Sequence, residues 1–233
     1  MGLNLEGIVV FVGNYGSGKT EVAINFAVNR KQSGVDVRIA DLDVINPYFR
    51  TREAVDALSG IGIEVVVPPK EYLQADLPVV NPSVLGMIRR PGQLTLIDAG
   101  GNDAGVAVLA SIIGHIKGKP VQMIQVVNPF RPLTTDIDGC LKMKAEIEKT
   151  ATITINSLIG NANLMELTTC ADIYSGYDFM QNLSREGKMK LEFITAPSNI
   201  FPEIDRERIA CPVLPIRRQM VPPWKEREKF QSI

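Results

Sequence analysis

The sequence predicts an α/β domain: a doubly wound, mostly parallel sheet of about eight strands in three α/β/α layers. Three observations carry the prediction. Apolar runs of strand length alternate with longer segments of helical period along the whole chain. Several of those runs are uninterrupted Val, Ile and Leu, as strands covered on both faces require. No repeat, low-complexity tract or long Pro/Gly linker divides the 233 residues, so residues 1–233 form a single domain. That length buries a sizeable core without disulfides or structural metal.

The first strand, 8–12, runs into Gly13-Asn14-Tyr15-Gly16-Ser17-Gly18-Lys19-Thr20, a gapless GxxxxGK[ST] motif. Its glycines permit backbone angles that a Cβ would block, and consecutive N–H groups then form an anion nest. The helix behind it, 18–32, places its positive dipole end under a phosphate. Lys19 brings a mobile charge to the β- and γ-phosphates, and the Thr20 hydroxyl is placed to ligate Mg²⁺. Along that helix Glu21, Asn25, Asn29 and Gln32 make a polar stripe opposite Val22, Ala23, Phe26 and Ala27.

The second strand, 35–42, ends in Asp41-Leu42-Asp43, at the carboxyl end where ligands bind in such sheets. Alternation sends both carboxylates the same way if the strand continues. Asp43 lies further toward the crevice and is the better candidate to orient water or hold a magnesium-bound water. A helix over 50–59, a strand over 63–67 and a helix over 82–90 follow, with the proline-rich 68–82 as an ordered loop. The strand 94–97 ends in Asp98-Ala99-Gly100-Gly101. That is a Walker B pattern with Asp98 near Mg²⁺, and it also fits DxxG, in which the Gly101 N–H senses a γ-phosphate.

The helix 103–117 is apolar on nearly every side, which suits either burial between sheet and helix or a dimer contact. Strand 121–127, helix 134–149, strand 152–159, helix 167–186, strand 191–195 and strand 213–216 complete the alternation. Between the last two strands, 198–211 holds Phe201, Pro202 and charged residues in a short helix. The tail Pro222-Pro223-Trp224 starts a charged helix that packs through Trp224.

Composition narrows the function classes. With 25 basic and 26 acidic residues, nothing suggests a polycationic surface for nucleic acid or membrane. Cys140, Cys170 and Cys211 are odd in number and far apart, and His115 is the sole histidine, which speaks against a disulfide framework or a zinc site. The N-terminus shows no signal peptide and no myristoylation motif, since Glu6 stands where Ser or Thr is needed. No apolar run reaches membrane-spanning length. A soluble, cytoplasmic protein is expected.

At these three motifs the sequence resembles the SIMIBI class of P-loop proteins, specifically the CobQ/CobB/MinD/ParA-type nucleotide-binding domains. The resemblance spans most of the chain and implies a P-loop NTPase fold that binds ATP with Mg²⁺, often as a nucleotide-sandwich homodimer. It maps the P-loop residues onto Lys19 and Thr20, the water-assisting aspartate onto Asp43, and the Walker B aspartate onto Asp98. It also implies adenine recognition by an asparagine after a late strand and by backbone near the last one. Asn161 is the nearest match, with Asn156 and Asn163 also offering themselves, and Pro215 and Ile216 are candidates at the final strand. Many members carry a signature lysine early in the P-loop that reaches across the dimer, and Asn14 stands at that place here. Arg50 or Arg52 in the loop after Asp43, or Arg131 in Asn128-Pro129-Phe130-Arg131-Pro132, are candidate substitutes for its charge. Tyr48-Phe49 reads equally as a partner-facing patch or as packing. The amidotransferase activity of some members is excluded, because it needs a Cys–His pair on a second domain.

The leading function is an ATP-binding, slowly hydrolysing switch, in which segments 44–52 and 99–104 respond to hydrolysis. A small-molecule phosphoryl transferase, with 68–82 or 198–211 holding an acceptor, is the alternative. A non-hydrolysing regulatory module is a third, suggested by Asn14. No NKxD guanine signature is present: Asn156-Ser157-Leu158-Ile159 and Asn161-Ala162-Asn163-Leu164 lack both Lys and Asp, which tips the base toward adenine.

Overall fold

The computed structural model describes residues 2–42, 55–67, 82–100, 103–116, 119–221, 227–228 and 230. Asp43, Tyr48, Phe49, Arg50, Arg52, Gly101 and Trp224 lie outside the described residues, as does most of the proline-rich 68–82.

Among the described residues eight strands form one parallel sheet: β1 (Gly7–Val12), β2 (Val37–Asp41), β3 (Glu64–Val66), β4 (Leu94–Asp98), β5 (Val121–Val127), β6 (Ile155–Gly160), β7 (Lys190–Pro197) and β8 (Val213–Ile216). Their spatial order is β3-β2-β4-β1-β5-β6-β7-β8. From β1 the chain skips one place to β2 and β3, returns to β4 beside β1, and then crosses to β5, β6, β7 and β8. So β1 lies beside the point where strand order reverses, the place where α/β sheets bind ligands. The helices are α1 (Lys19–Gln32), α2 (Val55–Gly60), α3 (Pro82–Arg89), α4 (Asp103–Ile116), α5 (Ile137–Ala151) and α6 (Cys170–Gly187).

Two cores sandwich the sheet. On one face Val22, Phe26 and Ala27 of α1 and Leu58 of α2 pack on Val9, Phe11, Ile39, Leu96 and Ile124. There Phe26 lies between Phe11, at 6.1 Å centroid distance, and Phe193, stacked at 5.4 Å. On the other face α3, α4, α5 and α6 cover Val10, Ile97, Met123 and Leu158. Strand residues of both parities are thus buried, which is why β1 reads as an unbroken apolar run. A third cluster, with Ile173, Tyr177, Ile204 and Val213, closes the β7–β8 edge.

The elements match the expected order, and the differences in their ends have local causes. α5 starts at Ile137 rather than 134 because Asp136 caps it, accepting from Gly139 N at 2.7 Å. Thr134 serves the preceding loop instead, its buried hydroxyl donating to Asn128 O. α6 starts at Cys170 rather than 167 because Thr169 and Asp172 form a capping box. The segment 198–211 forms two 3₁₀ turns, Phe201–Glu203 and Arg206–Arg208, rather than one helix. His115 lies exposed in the last turn of α4. Among the described residues no helix is long and apolar enough to cross a membrane.

Candidate functional site

The loop between β1 and α1 takes its shape from glycine at positions where no other residue fits. Gly13 has φ 141°, and a Cβ there would lie 2.3 Å from Val126 O. Gly18, the residue before α1, has φ 85°, and its Cβ would lie 2.3 Å from Asn161 Nδ2. Within this tight turn Ser17 N donates to Asn14 O at 3.2 Å. Lys19 is buried, and its Nζ donates to Gly13 O at 3.2 Å and Asn14 O at 3.0 Å, which holds the ammonium over the loop. Tyr15 stands out from the loop, 68% exposed.

Thr20 and Asp98 come together across 78 residues of sequence. Thr20 Oγ1 donates to Asp98 Oδ2 at 2.5 Å, and Asp98 is fully buried. Parallel pairing sets this up: Asp98 ends β4 opposite Phe11 of β1 on one side and Asp41 of β2 on the other. Asp41, the less favoured member of Asp41-Leu42-Asp43, is therefore a register neighbour of Asp98 and is itself fully buried. The Thr20 hydroxyl and the Asp98 carboxylate, meeting beside an anion nest, are hard oxygen donors of the kind Mg²⁺ takes beside a bound polyphosphate.

A cleft of about 680 Å³ opens from this point. Gly16, Gly18, Lys19 and Thr20 line one end, and Ile216, Met220, Val221, Pro197 and Met165 make its apolar part. β8 lies four strands from β1, about 19 Å away at the usual spacing of about 4.8 Å, so the cleft is long as well as deep. Asn161, expected beside the base, lines it too, but both polar side-chain atoms are already engaged. Its Nδ2 donates to Ser17 O at 2.7 Å, and its Oδ1 accepts from Thr195 Oγ1 at 2.5 Å. Asn163 Oδ1 accepts from Met165 N at 2.6 Å. Ile216 lines the cleft, whereas its neighbour Pro215 is half-buried in β8 and does not.

Sequence reasoning missed the device that builds the far end. The polar stripe of α1 faces protein here: Glu21 Oε1 accepts from Gln219 N at 2.8 Å, and Oε2 from Met220 N at 2.9 Å. Asn25 Oδ1 accepts from Arg217 N at 2.8 Å, and its Nδ2 donates to Arg217 O at 3.1 Å. Two helix side chains thus satisfy the backbone of the segment after β8, a strap that carries Met220 and Val221 into the cleft. Burial pushes the Glu21 carboxyl up to about 7, against the lowering effects of the Met220 and Gln219 N–H groups, Arg218 and Asn25. At the rim Arg218 Nη1 bonds Glu166 Oε1 at 2.5 Å, joining the strap to the loop after β6. The only sequence signal for any of this was the spacing of Glu21 and Asn25, four apart on one helix face.

No protein-family model matches the chain, and no curated protein matches it. Solved structures do. The chain is similar to the cell division protein FtsY of Thermotoga maritima, at 21% identity and TM-score 0.56, over 81% of this chain and 61% of that one. It is similar to FtsY of Mycoplasma mycoides at 21% identity and TM-score 0.57, over 82% and 60% of the two chains. It is also similar to the signal recognition particle 54 kDa protein of Aeropyrum pernix K1, whose structure is a complex with GDP. That match has 16% identity and TM-score 0.54, over 80% and 40% of the two chains. The chain spans about three fifths of the length of the FtsY structures it matches. Glycine-shaped loop, Thr20–Asp98 contact and parallel eight-stranded sheet together make this the P-loop NTPase fold.

Proposed function

We propose that the chain is a magnesium-dependent ATP-binding protein of the CobQ/CobB/MinD/ParA type, and a slow ATPase that works as a nucleotide switch. The observation that carries this reading is the hydrogen bond from Thr20 to buried Asp98 beside the P-loop nest, with Lys19 held over the same loop. Amides of residues 13–20 and the α1 N-terminus hold the polyphosphate. Lys19 moves from the loop carbonyls to the β- and γ-phosphates. Thr20 and Asp98 hold Mg²⁺, which neutralises charge on the triphosphate. Asp43, just beyond the end of β2, orients the attacking water, and the Gly101 N–H senses the γ-phosphate.

Adenine is favoured because Leu164, the fourth residue of the Asn161 segment, offers no carboxylate to a guanine edge. Asn161, with its amide engaged by Ser17 and Thr195, is assigned to bracing the P-loop. Ile216, Met220 and Val221 supply an apolar seat for the base. A homodimer is the partner that the resemblance implies.

Calorimetric titration of ATP and GTP with and without Mg²⁺, followed by phosphate release, tests the reading. Tight Mg²⁺-dependent ATP binding with slow release of phosphate is expected. Binding of neither nucleotide would sink it, and a preference for GTP would overturn the base assignment. Asp43→Ala should bind ATP normally and lose turnover; normal turnover would remove Asp43 from its role.

A further inference from the structure

Resting on the ATPase reading, we propose that Arg131 is a catalytic residue of this site: a cation, carried by the loop between β5 and α5, that neutralises charge developing on the terminal phosphate. A fully ionised nucleoside triphosphate carries more negative charge than Lys19 and one Mg²⁺ together offset. Among the described residues three cations line the cleft, Lys19, Arg131 and Arg218. Arg218 is engaged by Glu166 at the rim. Arg131 lies at the phosphate end, where its Nε donates to Gly16 O at 3.1 Å. Its guanidinium carbon would be 3.7 Å from a Cβ at Gly16. Only Nε is used in that contact; among the described residues no acid pairs with the Nη groups.

The loop that carries Arg131 is built to hold still. Arg131 N donates to Asn128 O, Phe130 N to Asn128 Oδ1, and the buried Thr134 hydroxyl to Asn128 O. Leu133 is held at φ 69°. Asn14 Nδ2 then ties the loop to the P-loop, donating to Pro132 O at 2.6 Å. Arg131 is thus anchored to the phosphate nest through both its side chain and its loop, so little ordering is left to pay for when charge develops. A guanidinium presents forked donors that match phosphate oxygens.

In the step it serves, a water oxygen bonds to the γ-phosphorus as the bond from that phosphorus to the β–γ bridging oxygen breaks. ADP leaves with the electron pair, and the water proton passes to the released phosphate or to solvent. Negative charge moves onto the bridging and terminal oxygens, to which the Nη groups donate.

The test compares wild type, Arg131→Ala and Arg131→Lys for ADP affinity, ATP affinity, single-turnover rate and melting temperature. The expected result for Arg131→Ala is a rate about a hundred- to a thousandfold lower. ADP affinity should stay within about twofold, and added guanidinium ion should restore part of the rate. Arg131→Lys should fall between. A rate within threefold of wild type overturns the proposal. So does a matched loss of ADP and ATP affinity with a lowered melting temperature, which would make Arg131 a brace for Gly16. Wild type that binds ATP without hydrolysing it overturns the proposal while sparing the nucleotide site. Wild type that binds no nucleotide defeats the underlying reading before any variant is compared.

Discussion

The two ends of the cleft are built by opposite means. At the phosphate end the backbone does the work. Glycines at positive φ turn the loop, buried side chains of Asn161 and Lys19 bond its carbonyls, and Asp98 meets Thr20 because β1 and β4 are paired. At the far end a carboxylate does it: Glu21 gathers two strap amides and Asn25 gathers a third residue's N–H and C=O. The first construction does not depend on the ionisation of a marginal group. The second rests on a carboxyl whose burial raises it to about 7. The difference teaches that the glycine-shaped loop and the strap-built end of the cleft can respond to pH separately.

The largest effect expected is at the phosphate end. Lys19→Ala should lower ATP affinity at least about a hundredfold by calorimetry, because it removes the cation that the nest positions. Unchanged affinity would show that the lysine never leaves the carbonyls of Gly13 and Asn14. Next comes the brace. Asn161→Ala leaves the Ser17 carbonyl and the Thr195 hydroxyl without their partner in a buried place, and should cost about 2 kcal/mol in urea unfolding along with weaker ATP binding. Destabilisation with intact ATP affinity would mean that the loop holds its own shape, and the contrast between the two ends would fail.

A pH series sharpens the other half. The folded-state pKa of Glu21 is raised above its ordinary 4.5, so the native state holds a proton that the unfolded chain releases. Its contribution to stability is complete below about 4.5 and is lost as pH rises through about 7. The slope over that window is at most about 1.4 kcal/mol per pH unit. Glu21→Gln should flatten the slope in melting curves; an identical slope in the variant would place the titration elsewhere. The smallest effect belongs to the rim. Arg218→Ala should change stability by less than about 1 kcal/mol, because its pair with Glu166 is partly solvated. Stopped-flow release of a fluorescent nucleotide should be faster in that variant, and an unchanged rate would mean the pair does not close the cleft.

Much of this architecture was legible beforehand. Among the described residues, alternating runs placed eight strands and six helices, and the glycine motif marked the turn between β1 and α1. The meeting of Asp98 with Thr20 was legible because an acid that ends an apolar strand and precedes glycine, three strands beyond a P-loop, fits the Walker B pattern. The ends of α5 and α6 were not, since capping competes among neighbouring Thr and Asp residues, and only the packed loop decides that Thr134 serves Asn128 while Asp136 caps. Asn161 was found by its place after β6, yet its partners Ser17 and Thr195 are 144 and 34 residues distant.

What the sequence determined by itself was the local chemistry: periodicity, glycine-permitted backbone and a phosphate nest all arise from residues within a turn or two of one another. What only the tertiary structure decided was which polar groups spend their hydrogen bonds on the protein. The stripe of Glu21 and Asn25 reads as a solvated face until β8 is laid four strands from β1 and the strap after it crosses that helix. A buried amide must find a partner, and which partner it finds depends on the sheet order, which no stretch of sequence contains.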